Sequence, residues 1–209
     1  MTAITDRHAP LWRSIFTFIA DRTGGRREPN SPDKALMDRL SRGDPNAAEE
    51  LVTGHADALY RFVYHQVGGI AQDAEDIVQE TFLAAVRQAG RFRGQSRLRT
   101  WLFSIASHKV ADHWRRQRRR AELPLFEDHP LVDKAMGQEG MMERVEQRQM
   151  IRAALLRLPP HYRTALVLRY VEGLSVAETA EIMHRSLKSV ESILVRARRR
   201  LAELLKEAV

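Results

Sequence analysis

The sequence contains no cysteine, so neither a disulfide framework nor a cysteine-ligated zinc module holds it together. That suits a reducing cytoplasm. Long apolar runs are missing too: the greasiest stretch near the N-terminus, "LWRSIFTFIA", is broken by Arg13 and falls short of the roughly 20 residues that span a bilayer. Neither a cleavable signal nor a transmembrane helix is expected. Strand-like alternation is almost absent, no glycine-rich phosphate loop occurs, and no histidine and carboxylate cluster falls at metal-ligand spacing. The expectation is therefore a protein that is not an enzyme, with no metal, no cofactor and no small-molecule substrate.

What the chain does have is positive charge. Lys and Arg number 34 against 27 Asp and Glu, a net charge of +7, with an isoelectric point near 10.2. The excess is concentrated in two arginine runs, residues 115–120 and 196–200, which favours nucleic acid over a diffusely cationic surface. A length of 209 residues accommodates one large or two small cores.

Helix signals run along most of the chain. Ser31-Pro32 and Asp44-Pro45 each set a capping residue before a proline, and Gly43 and Gly68-Gly69 supply stops, which brackets helices near 32–42 and 46–67. Asp73 and Asp76 read as a capping box opening a helix that Gly90 closes, with Ile77, Phe82 and Val86 facing inward, and 98–120 reads as the next helix. The stretch "AELPLFEDHPLVDKAMGQEGMME" then breaks the pattern with prolines, glycines and six acids, as a flexible acidic linker does. Helices near 142–157, 160–172, 175–184 and 187–207 follow. The fold class is all-α: two small helical bundles, 33–120 and 144–209, joined by the linker at 121–143, after an N-terminal extension at 1–32.

The C-terminal bundle carries a helix-turn-helix. Ser175 and Glu178 form an S-x-x-E capping box, and Ser186 opens a second helix after a tight turn. On that second helix Leu187, Val190, Leu194, Ala197 and Leu201 form the inward stripe, with Ala177 and Ala180 as small residues at the crossing. Lys188, Ser192, Val195, Arg196 and Arg199 project outward, where cations neutralise phosphates and arginine pairs with guanine. A solvated cationic face on an ordinary bundle is the bland alternative. Glu191, on the flank, either reads a cytosine amino group or merely repels phosphate.

In the first bundle, "WLFSIASHKVADHWRRQRRR" begins greasy and ends in arginine. Leu98, Trp101, Leu102 and Ile105 make one apolar stripe, and Phe103, Val110 and Trp114 a second. Rings beside guanidinium groups suit unpaired bases and phosphates. Trp101 reads as a core anchor, whereas Trp114 is open to either use. The preceding acids and amide, Asp73, Asp76, Gln79 and Glu80, would be repelled by DNA and fit a protein partner, although acids at a helix start are also ordinary dipole partners.

Together, "DAEDIVQETFLAAVRQAGRFRGQSRLRTWLFSIASHKVADHWRRQRRR" and "LRLPPHYRTALVLRYVEGLSVAETAEIMHRS" resemble the extracytoplasmic-function sigma factors of bacterial RNA polymerase over roughly residues 33–205. The resemblance implies that the bundles are sigma regions 2 and 4. It implies that Asp73, Asp76, Gln79 and Glu80 dock on core RNA polymerase. Phe92, Arg93, Gln95, Ser96 and Arg97 would capture a flipped base of the minus-10 element, with Trp101, His108, Trp114, Arg115 and Arg116 gripping that strand and the adjoining duplex. Lys188, Ser189, Ser192, Arg196 and Arg199 would read the minus-35 element. Promoter DNA and an anti-sigma factor are further implied partners, and the cytoplasm the implied location. The linker would pass through the polymerase cleft: its 23 residues extend to about 75 Å, against about 70 Å for two duplex turns. The chain departs from the family pattern at His108, often asparagine, and across residues 188–193, so minus-35 specificity does not carry over. Residues 1–32 lie outside the resemblance; Leu11, Trp12, Ile15, Phe16 and Ile19 fit an amphipathic helix that packs on the protein, meets a partner or touches a membrane surface. Two other classes compete: a stand-alone helix-turn-helix regulator, which normally dimerises on a symmetric site, and a nuclease using the acids of "DAEDIVQE" as metal ligands.

Overall fold

The computed structural model describes residues 32–121 and 139–207, which hold eight α-helices and no strand. The expected amphipathic helix of the N-terminal extension and most of the acidic linker lie outside the described residues.

The N-terminal bundle comprises α1 (Pro32–Ser41), α2 (Pro45–Gln66), α3 (Ala71–Arg87) and α4 (Leu98–Ala121). Asp44 caps α2 as expected: its carboxylate accepts the Asn46 N–H at 3.0 Å, and Pro45 occupies a first-turn position whose N–H would find no helical partner. The chain turns into α3 through Gly68 and Gly69, at φ of 85° and 84°, a region that a β-carbon disfavours. The start of α3 differs from expectation. The helix opens at Ala71 with Ile70 at the cap and no side-chain cap bond, so Asp73 complements the helix dipole from within the first turn and forms no capping box. Its inward face is Ala74, Ile77, Thr81, Phe82 and Ala85, which leaves Val86, one residue and about 100° further round, 43% exposed. The core centres on Phe62 and Phe103, edge to face at 5.1 Å, among Leu51, Leu59, Leu98 and Leu102. Each such buried ring or leucine contributes about 1.5–3 kcal/mol.

The C-terminal bundle comprises α5 (Glu139–Leu156), α6 (Pro160–Leu166), α7 (Val176–Ile182) and α8 (Leu187–Glu207). α5 begins inside the expected 121–143 linker, because Gly140 falls in its first turn, where glycine costs only about 1 kcal/mol and does not break the helix. The single helix expected at 160–172 is instead α6 followed by a π-helical turn, Val167–Val171, in which the Glu172 N–H bonds to the Val167 carbonyl at 3.0 Å. The capping box is present: the Glu178 N–H donates to Ser175 Oγ at 3.1 Å and the Ser175 N–H donates to Glu178 Oε2 at 2.9 Å. His184 holds the tight turn at φ 51°, and the Ser189 N–H donates to Ser186 Oγ at 3.3 Å.

Val190, Ile193, Leu194, Ala197, Leu201 and Leu204 form the buried face of α8. Leu187 does not join them. At the first helical position its side chain tilts past the helix start, away from the bundle, and is 54% exposed. Ala177 is also exposed, so only Ala180 lies in the core of this bundle. The two bundles are packed together and not merely strung on a linker: Val167, Leu168, Leu174 and Ile182 belong to the core of the N-terminal bundle.

Candidate nucleic-acid interface

The outward face of α8 is as the helical spacing dictates. Lys188, Ser192, Arg196 and Arg199 are exposed, Ser189 is half-buried, and Glu191 stands exposed beside them. Leu187 and Val195 add apolar area to the same face. Arg199 leans toward Glu203 at 3.6 Å, and the Arg196 Nε donates to the Ser192 carbonyl at 3.2 Å. Exposed pairs of this kind are worth at most about 1 kcal/mol, so both guanidinium groups exchange readily onto phosphate. Nearby, burial and then the charges of Arg185 and Arg196 hold the His161 imidazole below its usual range.

The second basic surface follows α4 and the loop before it. Asp33 anchors that loop, its carboxylate accepting the Leu98 N–H at 2.9 Å, and Gly94 turns at φ 68°. Arg93, Gln95 and Arg97 are exposed and Ser96 half-buried. Phe92 is different: it is 4% exposed and packs on Trp101 with ring centroids 5.4 Å apart. It thus shapes the loop from beneath. Arg115 and Arg116 are exposed, the first paired with Asp112 and the second 3.9 Å from Glu80. Trp114 is half-buried; its indole N–H donates to the Gln66 carbonyl at 3.2 Å and the Arg163 guanidinium lies 5.5 Å from the ring centre. In this arrangement the ring that the sequence leaves open serves packing.

The acidic set on α3 divides in two. Asp76 and Gln79 are exposed, and further along the same helix Leu83 and Val86 are 48% and 43% exposed, giving a face that is polar at one end and apolar at the other. Asp73 and Glu80 turn instead to α4, at 3.4 Å from His113 Nε2 and 3.0 Å from Lys109 Nζ. They brace the basic helix.

Sequence reasoning missed the junction between the bundles. Glu172, at the end of the π turn, has a fully buried side chain; Arg99 Nη2 donates to its Oε2 at 2.7 Å and to its carbonyl at 2.9 Å, and Arg61 Nε stands 3.5 Å from Oε1. Burial pushes the Glu172 carboxyl upward, against the pull of both arginines. Arg97 reaches Glu178 at 3.6 Å, and the exposed His108 faces His184 with Nε2 atoms 3.3 Å apart. Three residues expected at the minus-10 element, Arg97, His108 and Trp114, therefore touch the C-terminal bundle. The one available signal was a charged residue, Glu172, between the apolar run "ALVLRYV" and Gly173.

Among the described residues no group of histidines and carboxylates is arranged to hold a metal, and no helix is long and apolar enough to cross a membrane. Two family models match the chain in order: Sigma-70 region 2 over residues 51–120 and Sigma-70, region 4 over residues 148–201. The ECF RNA polymerase sigma factor BldN of Streptomyces coelicolor is 36% identical over 173 residues, covering 81% of this chain and 64% of the relative. The RNA polymerase sigma-H factor of Pseudomonas aeruginosa is 34% identical over 189 residues, 84% of this chain and 97% of the relative. Among solved structures, CnrH in complex with the cytosolic domain of CnrY matches 86% of this chain and all of its own, with a TM-score of 0.64 and 26% identity. The sigma factor RpoE of Bartonella quintana, in complex with the anti-sigma factor NepR, matches 76% of this chain and 96% of its own, with a TM-score of 0.62 and 26% identity.

Proposed function

Since this chain belongs to the extracytoplasmic-function sigma factors, we propose that it is an alternative sigma factor that joins bacterial core RNA polymerase in the cytoplasm and directs it to promoters. Catalysis of RNA synthesis is left to the polymerase. The observation that carries this reading is the presence of both sigma regions, in order, on one chain whose exposed cations gather on α4 and α8. That pairing favours an initiation factor over a stand-alone helix-turn-helix regulator.

The surfaces divide the work. Asp76 and Gln79, with Leu83 and Val86 beyond them, supply the polymerase-docking face, while Asp73 and Glu80 hold α4 in register beside it. Arg93, Gln95, Ser96 and Arg97, on the frame of Phe92 and Trp101, capture the minus-10 strand, and Arg115 and Arg116 follow its phosphates. Lys188, Ser189, Ser192, Arg196 and Arg199 read the minus-35 element in the major groove.

Trp114 reaches DNA only after the bundles part, because Arg163 of the C-terminal bundle lies over its ring, and parting also frees His108 from His184. The closed chain is therefore a poor DNA binder, and polymerase docking shifts the population toward the open one. An anti-sigma factor, of the kind bound to RpoE of Bartonella quintana, would act by favouring the closed form or covering α3 and α8. Run-off transcription with purified core polymerase on genomic fragments tests the reading. Discrete transcripts that depend on this chain are expected; their absence on every fragment refutes it.

A further inference from the structure

Where α2, α4 and α6 meet there is a cavity of about 220 Å³, lined by Gln66, Ser107, Trp114, Arg115, Arg118 and Arg163 among others, which shares only Trp114 and Arg115 with the proposed minus-10 surface. Its deepest charge is Arg163, 3% exposed, whose Nε donates to Gln66 Oε1 at 3.3 Å and whose guanidinium carbon lies over the Trp114 ring. Both partners are neutral. No carboxylate among the described residues pairs with Arg163, and burial pushes its guanidinium down to about 10. A buried charge normally has a counter-charge, and this one has none among the described residues. Two further cations, Arg115 and Arg118, stand on the same wall.

The polar groups of the cavity point the same way. Gln66 is 1% exposed and its Nε2 has no hydrogen-bond partner; the Ser107 hydroxyl is also buried and unpartnered. The Gln66 amide orientation is determined by its neighbours, since Oε1 takes hydrogen bonds from both Arg163 and Thr164 at 3.3 Å, which leaves the NH₂ as the unused end. The cavity therefore offers guanidinium forks, an amide NH₂ and a hydroxyl, and no carboxylate lines it.

We propose that this junction is a binding site for a small phosphate-class oxyanion. Tetrahedral oxygens match arginine forks and accept from the amide and hydroxyl together. The volume lies below the roughly 300–1,000 Å³ of sites for drug-sized ligands, so it suits phosphate or pyrophosphate rather than a whole nucleotide. Because α2 and α4 come from one bundle and α6 from the other, an anion here ties the bundles together and favours the closed chain.

Titration of the full chain with inorganic pyrophosphate at low ionic strength, without DNA or polymerase, tests this apart from any role in transcription. The expected result is saturable binding of one anion per chain with a change in tryptophan fluorescence. Arg163→Met weakens it roughly tenfold or more, and Ser107→Ala and Arg118→Met severalfold each. Arg42→Met, an exposed arginine of the α1–α2 corner, leaves it unchanged. A short duplex whose binding loses the same factors while pyrophosphate stays inert would make the cavity part of the DNA surface and overturn the small-anion site. Pyrophosphate binding by Ser107→Ala and Arg118→Met that equals that of Arg42→Met also overturns it. Those two variants keep the test decisive if Arg163→Met fails to fold.

Discussion

Replacing Glu172 by glutamine separates two opposing effects at the bundle junction. The carboxylate is fully buried, which disfavours its charge, while Arg99 at 2.7 Å and Arg61 at 3.5 Å favour it. Burial wins, since the carboxyl is raised from its ordinary 4.5. A raised folded-state value means that the contribution is present in full below the unfolded value and is lost as pH climbs through the folded one. Glutamine keeps the shape and one acceptor for Arg99 but does not titrate. At acid pH the two chains should differ by less than about 1 kcal/mol. As pH rises above 4.5 the wild type should fall relative to Glu172→Gln, then level off once the carboxyl is ionised in both states. Glu172→Ala is a harsher change. Breaking a buried pair costs about 3–5 kcal/mol, but Arg99 and Arg61 are 35% and 53% exposed and regain water, so about 2–3 kcal/mol is expected. Urea unfolding of the three chains from about pH 4 to about pH 8 measures both effects. A wild type that gains on Glu172→Gln as pH rises would refute the reasoning, because the arginines would then outweigh burial.

Arg196→Ala with Arg199→Ala should weaken binding to the upstream element and flatten its salt dependence by about 0.9 log unit per lost phosphate contact, and an unchanged slope in filter binding at several salt concentrations would remove α8 from the interface. Asp76→Lys with Gln79→Lys should abolish co-purification with core polymerase while circular dichroism shows helicity intact; undiminished co-purification refutes the docking face. Ser175→Ala removes one half of the capping box and should cost about 1 kcal/mol in chemical denaturation.

Local signals carried most of the helical plan. Asp44-Pro45 and the Ser175–Glu178 box are short-range chemistry, and both cap where the residues say they should. The outward face of α8 was legible for the same reason, since 3.6-residue spacing decides it once the helix exists. Errors came where a neighbour decides. Leu187 continues the apolar stripe on paper, yet it stands 54% exposed at the helix start, and Phe92 sits in a loop of charged residues, yet Trp101 roofs it. The junction was least legible of all: Glu172, Arg99 and Arg61 are separated by 73 and 38 residues along the chain, and nothing local in any of them announces the other two. The fate of Trp114 turned on Arg163, which lies in the other bundle.

The π turn at Val167–Val171 makes this chain unforgiving in one short place. A wide turn is an α-helix with one residue too many, and the surplus is what aims the following carboxylate inward at two guanidinium groups. Were the turn to tighten to α-helical spacing with its residue count unchanged, everything after it would swing by about 100° and that carboxylate would point away. The width of this five-residue turn is thus what lets one half of the molecule clasp the other.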